Sequence, residues 1–146
     1  MNMPVLSSSD ATQNDEGKWS VQFQLPSSGQ RLVASANTAE LAVDFANEQI
    51  RQDQQSQEAE KKYREGVKVL SQMCLTHDGP AASAAAQVLL SAYDSSTFQV
   101  KTTALCMLDG ENLEHALAIL RGRVVCMIEP HQLLDEGQDV FDRLYD

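Results

Sequence analysis

Aromatic and basic residues are scarce in this sequence. Only 5% of its 146 residues are Phe, Trp or Tyr, so a core must be built mainly from aliphatic side chains and alanine. Eleven Lys and Arg stand against 21 Asp and Glu, which gives a formal net charge of −10. Because binding to phosphates is driven by Lys and Arg, this balance disfavours nucleic acid as a partner. It suits a basic partner, or simply solubility.

Cysteine is also scarce and follows no pattern. Cys74, Cys106 and Cys126 form no C-x-x-C pair, and each lies in an apolar run, where a free cysteine behaves as a small buried hydrophobe. An odd number without a pattern argues against a disulfide framework and for a reducing compartment. The N-terminus lacks a signal-peptide pattern and no apolar run is long enough to span a bilayer. We therefore expect a cytoplasmic protein that does not enter a membrane.

Motifs of catalysis and cofactor binding are missing as well. The histidines His77, His115 and His131 follow neither H-E-x-x-H nor H-x-H spacing. No serine lies in a G-x-S-x-G elbow, and there is no glycine-rich phosphate loop. The acidic residues near the C-terminus do not follow a calcium-loop spacing. The sequence therefore predicts no enzyme, no metal site and no cofactor.

The most apolar stretch predicts the centre of the fold. Residues 81–93 contain no charge and are rich in Ala and Leu, which are strong helix formers. Asp78 or Gly79 can cap this helix, and Pro80 fits its first turn. A helix that is apolar on nearly every face must be buried on nearly every face, so we place it at the centre of a helical domain over residues 63–146.

The N-terminal third predicts a disordered or loosely attached arm followed by a ββα module at residues 18–50. Residues 1–17 are polar, with little to bury, and are expected to form the arm. Apolar and polar side chains alternate over residues 18–25, as in a half-buried strand. Residues 31–36 predict a second strand, which completes a hairpin.

The helix of this module is predicted to begin with Asn37 as its N-cap. The next segment, residues 51–62, is almost wholly polar but contains no Gly or Pro. It is either a flexible linker or a solvated helix that continues from about residue 38 to about residue 75, and helix propensity favours the helix.

The ββα module has only a small apolar core, so we expect a homodimer that pairs hairpins or long helices across a two-fold axis. Its predicted core residues are Trp19, Phe23, Phe45 and Ile50.

Three further patterns complete the helical domain. Apolar residues lie at helical spacing between Leu113 and Leu120, and Gly122 is the expected stop of that helix. Residues 124–128 are short and apolar and predict a strand or a buried extended segment. A last apolar stripe follows at residues 140–145. The predicted fold class is α+β, mainly α: an N-terminal β-hairpin plus a long helix, followed by a small helical domain.

Acidic side chains collect near the C-terminus, where residues 129–146 hold six acids and one base. Asp135, Glu136, Asp139 and Asp142 fall near helical spacing, and on a helix Asp135, Asp139 and Asp142 would share a face. Like charges four residues apart do not stabilise a helix, whereas a basic partner would gain from them in association rate. These four residues are the candidate partner-binding site, with an ordinary solvated surface as the alternative.

Residues 17–50 resemble a known DNA-binding module. The stretch GKWSVQFQLPSSGQRLVASANTAELAVDFANEQI is similar to the arm-type module at the N-terminus of many tyrosine recombinases, in which Gly-Lys-Trp opens a strand and a Thr-x-x-Glu-Ala-like helix start packs behind the sheet. In such modules the exposed strand face carries Lys and Arg, whereas here it carries Ser20, Gln22 and Gln24. The resemblance implies an alternative function, a DNA-binding regulator that uses the hairpin. Its contacts would be Lys18, Arg31 and Arg51.

The C-terminal part has a second resemblance. The pieces AAQVLLSAYD, LCMLD, ILRGRV and EPHQLL resemble a group of small, uncharacterised proteins encoded by proteobacterial phages and plasmids. This implies a mobile-element setting, in which some phage inhibitors occupy host sites built for DNA or RNA. We therefore predict a non-enzymatic, acidic interaction protein of a phage or mobile element, an inhibitor of a host nucleic-acid-binding defence system. Its partner would be a basic host protein surface.

Overall fold

The computed structural model describes residues 5–146. The fold is α+β and mainly α, as the sequence predicts, and the chain divides into two compact units, Met1–Gln57 and Glu58–Asp146. The sheet consists of β1 (Ala11–Gln13), β2 (Trp19–Gln24) and β3 (Arg31–Ala36). The helices are α1 (Ala39–Thr76), α2 (Pro80–Tyr93), α3 (Thr102–Leu105), α4 (Gly110–Cys126) and α5 (Gly137–Tyr145). Two short 3₁₀ turns lie at Ser8–Asp10 and Pro130–Leu133.

The first unit is a three-stranded antiparallel sheet whose buried face packs against the N-terminal part of α1. β2 is the central strand, and Val21 pairs with Ala11 of β1 and with Ala34 of β3. The burial of β2 follows the alternation in the sequence, since Val21 and Phe23 are buried while Gln22 is exposed. The core of this unit contains Val21, Phe23, Ala36, Ala42, Ala46 and Ile50.

Part of the predicted disordered arm, residues 1–17, is folded onto this unit. β1 pairs with β2, so the prediction is wrong for that strand; residues 1–4 lie outside the described part of the chain. The Asn47 side-chain amide accepts a hydrogen bond from the Leu6 N–H and donates one to the Leu6 carbonyl, both at 3.1 Å. The Asp53 carboxylate accepts hydrogen bonds from the N–H of Ser27, at 2.8 Å, and from its hydroxyl. Polar side chains of α1 thus hold both the N-terminal segment and the hairpin turn.

The start of α1 differs slightly from the predicted one. The cap is Thr38 rather than Asn37, because Thr38 Oγ1 accepts a hydrogen bond from the Leu41 N–H at 3.2 Å. From there α1 continues through the polar residues 51–62, which confirms the helical alternative for that segment. Phe45, predicted in the core, is 52% exposed, so that prediction is wrong. The helix buries a different side, which carries mainly alanine.

The second unit is a helical assembly centred on α2, as predicted. Gly79, at φ 111°, is the N-cap of α2 and Pro80 occupies its first turn. Half of its 14 residues are buried: Ala82, Ala84, Ala85, Val88, Leu89, Leu90 and Ala92. The same core includes Tyr63 and Leu70 of α1 together with Phe141 of α5.

Helix α4 continues beyond the stop predicted from the sequence. Gly122 lies inside it, and the predicted extended segment at residues 124–128 begins as its last turn. The helix ends where Met127 adopts a left-handed conformation at φ 60°. A Cβ atom at position 122 would overlap the side chain of Tyr63, so this glycine allows α4 to approach α1 closely rather than ending a helix.

Candidate functional site

The four predicted partner-binding acids lie around the start of α5. Asp139 and Asp142 are on the helix, whereas Asp135 and Glu136 lie in the turn before it. All four residues are exposed. The expectation that Asp135, Asp139 and Asp142 share one helical face is wrong for Asp135, because the helix begins only at Gly137.

Backbone geometry sets the start of this helix. Glu136 adopts the left-handed conformation, with φ 56° and ψ 31°, so a right-handed helix cannot extend back through it to Asp135. A Cβ atom at Gly137 would overlap the carbonyl oxygen of His131, so the turn packs backbone to backbone against the Pro130–Leu133 segment. The two acids that precede α5 therefore lie on a turn of closely fixed conformation.

The opposite side of α5 is anchored in the core of the second unit. Phe141 is fully buried, and its ring centroid lies 5.1 Å from that of Tyr93 on α2. Val140 and Leu144 pack against the same core. Because one side of this helix is tightly packed, the backbone that carries Asp139 and Asp142 is held in place.

The four acids form no ion pair with a basic side chain of the described residues. Asp142 Oδ1 accepts a hydrogen bond at 2.8 Å from the side-chain amide of Gln138, which also donates to the Tyr93 hydroxyl at 3.2 Å. Asp139 lies in the first turn of α5, where a negative charge favourably meets the positive end of the helix dipole. Asp139 thus has a structural role that the sequence alone does not indicate.

The three basic residues of the DNA-binding alternative lie on three different segments of the first unit. Arg31 pairs with Gln24 on the exposed sheet face, opposite to the face that packs against α1. Arg51 lies on α1, and its guanidinium donates two hydrogen bonds to Glu48, one of them at 2.9 Å. That interaction lowers the pKa of Glu48 and offsets the charge of Arg51. Lys18 is exposed just before β2.

A second exposed surface runs along α4. Five residues spaced alternately four and three apart lie on it, and we refer to them as the α4 stripe: Gly110, Glu114, Leu117, Arg121 and Val124. Val124 is 75% exposed and Leu117 45%. Glu114, Leu117 and Arg121 of the stripe line a groove of about 580 Å³, whose other wall is the part of α1 that carries Lys62 and Glu65. Leu117 is one of the apolar residues at helical spacing between Leu113 and Leu120, so the sequence pattern alone does not separate this surface from the buried side of the helix.

Side chains with chemical reactivity are dispersed over the described chain. Within residues 5–146, no three His, Cys, Asp or Glu side chains are grouped so that they could hold a metal ion. Burial raises the pKa of the Cys74 thiol to about 11 and also raises that of Cys126, which favours the unreactive protonated form. Cys106 is exposed, contrary to the expected burial of all three cysteines. No helix in the same part of the chain is both long and apolar enough to cross a membrane.

Comparison with known proteins yields one match. The model of a family of unknown function, DUF7673, matches residues 64–146, which is more than half of the chain. The match includes α2 to α5, and therefore both the four acids and the α4 stripe. No curated protein matches this chain, and no solved structure matches it.

Proposed function

We propose that this chain, which belongs to the DUF7673 family of unknown function, is a non-enzymatic interaction protein that binds a basic partner. Its binding site would be the four acids around α5: Asp135, Glu136, Asp139 and Asp142. One observation carries the proposal: four exposed carboxylates, without ion pairs in the described structure, lie on a turn and helix anchored by the buried Phe141. Three of the four are aspartates, whose short side chains lose less rotamer freedom than longer charged side chains when a partner binds them.

The partner that suits this site is a protein surface rich in Arg and Lys. Carboxylates form charge-assisted hydrogen bonds with guanidinium groups, often two at a time. Surfaces that bind nucleic-acid phosphates offer such groups, and the net charge of −10 adds a long-range attraction that accelerates association. In the mobile-element setting implied by the sequence resemblance, the partner is a host nucleic-acid-binding protein. The chain would inhibit it by occupying the phosphate site.

Neutralising the four acids is expected to abolish most partner capture while the fold is kept. The site variant carries Asp135→Asn, Glu136→Gln, Asp139→Asn and Asp142→Asn. Exposed ion pairs contribute a few tenths of a kcal/mol each, so capture of basic proteins from a bacterial lysate should fall about tenfold at low ionic strength. Wild-type capture should itself weaken as salt is added. Quantitative mass spectrometry of the captured proteins measures both effects, and circular dichroism checks the fold.

A matched control variant separates the site from net charge. It carries Asp15→Asn, Glu16→Gln, Asp44→Asn and Glu111→Gln, which removes four exposed carboxylates elsewhere on the chain. We expect this control to capture the same proteins as the wild type. Equal loss in both variants would assign binding to overall charge, and no loss in the site variant would leave the four acids as ordinary surface. Binding of duplex DNA by the wild type would favour the hairpin regulator instead.

A further inference from the structure

We infer that the α4 stripe is the interface of a homodimer, in which two copies of α4 pack antiparallel across a two-fold axis beside Leu117. This surface is separate from the four acids, and the inference does not depend on the proposed function. It also differs from the hairpin or long-helix dimer expected from the sequence, because it uses the second unit alone.

The spacing of the stripe is that of a helix–helix seam. Residues that recur alternately every four and three positions form the contact line of paired helices, and the α4 stripe follows this rule from Gly110 to Val124. The other side of α4 is already used, since Ala116, Ile119 and Gly122 are buried within the unit. The stripe is therefore the exposed side of α4, and it holds the strongly exposed Val124 and the half-exposed Leu117.

The charges of the α4 stripe are complementary to those of the same stripe on a second copy of the chain. Glu114 and Arg121 lie two helical turns apart and, in the described structure, form no ion pair. An antiparallel copy related by an axis beside Leu117 sets Glu114 opposite Arg121 of the partner subunit, and Arg121 opposite Glu114 of the partner subunit. A two-fold interface requires this reciprocity, in which each contact occurs twice. The charge pattern thus favours a second copy over an unrelated partner.

The sizes of the side chains agree with the same arrangement. At the axis, Leu117 meets Leu117 of the partner subunit, which covers the apolar centre of the stripe. At each end Val124 lies opposite Gly110 of the partner subunit. A Cβ atom at Gly110 would meet nothing within 4 Å, so there is open space for the exposed valine. Large side chains opposite small ones let two helices approach closely.

Charge reversal tests this register. The wild-type chain should sediment as a dimer at micromolar concentration, with twice the 16.1 kDa of one chain. Glu114→Arg sets arginine against arginine and Arg121→Glu sets glutamate against glutamate, so each variant alone should be monomeric. An equimolar mixture of the two should form a heterodimer, because every arginine then faces a glutamate. The double variant should form a homodimer for the same reason.

The control is Glu111→Arg, which reverses an exposed acid on the same helix but off the stripe. It should remain dimeric, and circular dichroism should show that all the variants keep their helices. A monomeric wild type, or a dimer that survives both single reversals, would overturn the inference. Failure of the mixture and of the double variant to dimerise would overturn the antiparallel register.

Discussion

Replacing Gly122 by alanine is expected to destabilise the helical unit by about 1–3 kcal/mol, which is the usual cost of overpacking a closed interface. The added methyl group would overlap Cβ, Cγ and Cδ2 of Tyr63. Tyr63 is fully buried, and its hydroxyl donates a 2.7 Å hydrogen bond to the Ile128 carbonyl, so its side chain cannot turn away without losing that bond. Urea unfolding followed by circular dichroism measures the loss.

Gly110→Ala is the matched control on the same helix. A Cβ atom there meets nothing within 4 Å, and Gly110 is the first residue of α4, where alanine gains less over glycine than the roughly 1 kcal/mol of a helix interior. The control should therefore leave stability unchanged or raise it slightly. Both substitutions should be compared in the Glu114→Arg chain, so that subunit association does not contribute. Equal stability of the two variants would show that α1 and α4 do not approach closely at Gly122.

Leu89→Ala should cost between about 2 and 5 kcal/mol of unfolding free energy, because it leaves a cavity at the centre of the second unit. Leu89 is fully buried on α2 and belongs to the largest apolar cluster of that unit. Leu90 is slightly exposed, at 7%, so Leu90→Ala should fall toward the lower end of the same range. Denaturant unfolding at fixed protein concentration gives both values.

Met107→Ala is the control for these two substitutions. Met107 lies in the same unit and is mostly exposed, so its truncation should change stability by no more than about 0.5 kcal/mol. Losses below about 1 kcal/mol at both Leu89 and Leu90 would show that α2 is not the centre of the unit.

The elements that the sequence predicts well are those set by local pattern. The uncharged stretch with Gly79 and Pro80 before it gives α2 with the expected start, and strict alternation gives β2. The polar segment 51–62 is helical because nothing in it breaks a helix. In each case a propensity or a periodicity that lies within a few residues decides the structure.

The elements that the sequence mispredicts are set by distant contacts. Gly122 has the local features of a helix stop, but it lies inside α4. A side chain at this position would overlap Tyr63, which is distant in sequence. β1 has only three residues and little apolar surface, and it exists because β2 offers a free edge. Neither the contact of Gly122 with Tyr63 nor the pairing of β1 with β2 can be predicted from the residues next to Gly122 or within β1.

The candidate site shows the same division. The composition of the C-terminal segment identifies the four acids. The left-handed conformation of Glu136, which no local sequence pattern predicts, places Asp135 outside the helix. The α4 stripe did leave a signal, the alternate spacing of four and three with Glu114 and Arg121 on one side. This spacing does not by itself identify an exposed surface, because Leu117 fits a core-facing stripe equally well.

The footprint of a captured basic partner tests the proposed function most directly. Hydrogen exchange of backbone amides, measured with and without the partner, shows which segment it covers. We predict slower exchange over the turn at residues 135–136 and over α5, with no change in β2 and β3. Protection confined to β2 and β3, with α5 unaffected, would contradict the proposal and assign binding to the sheet.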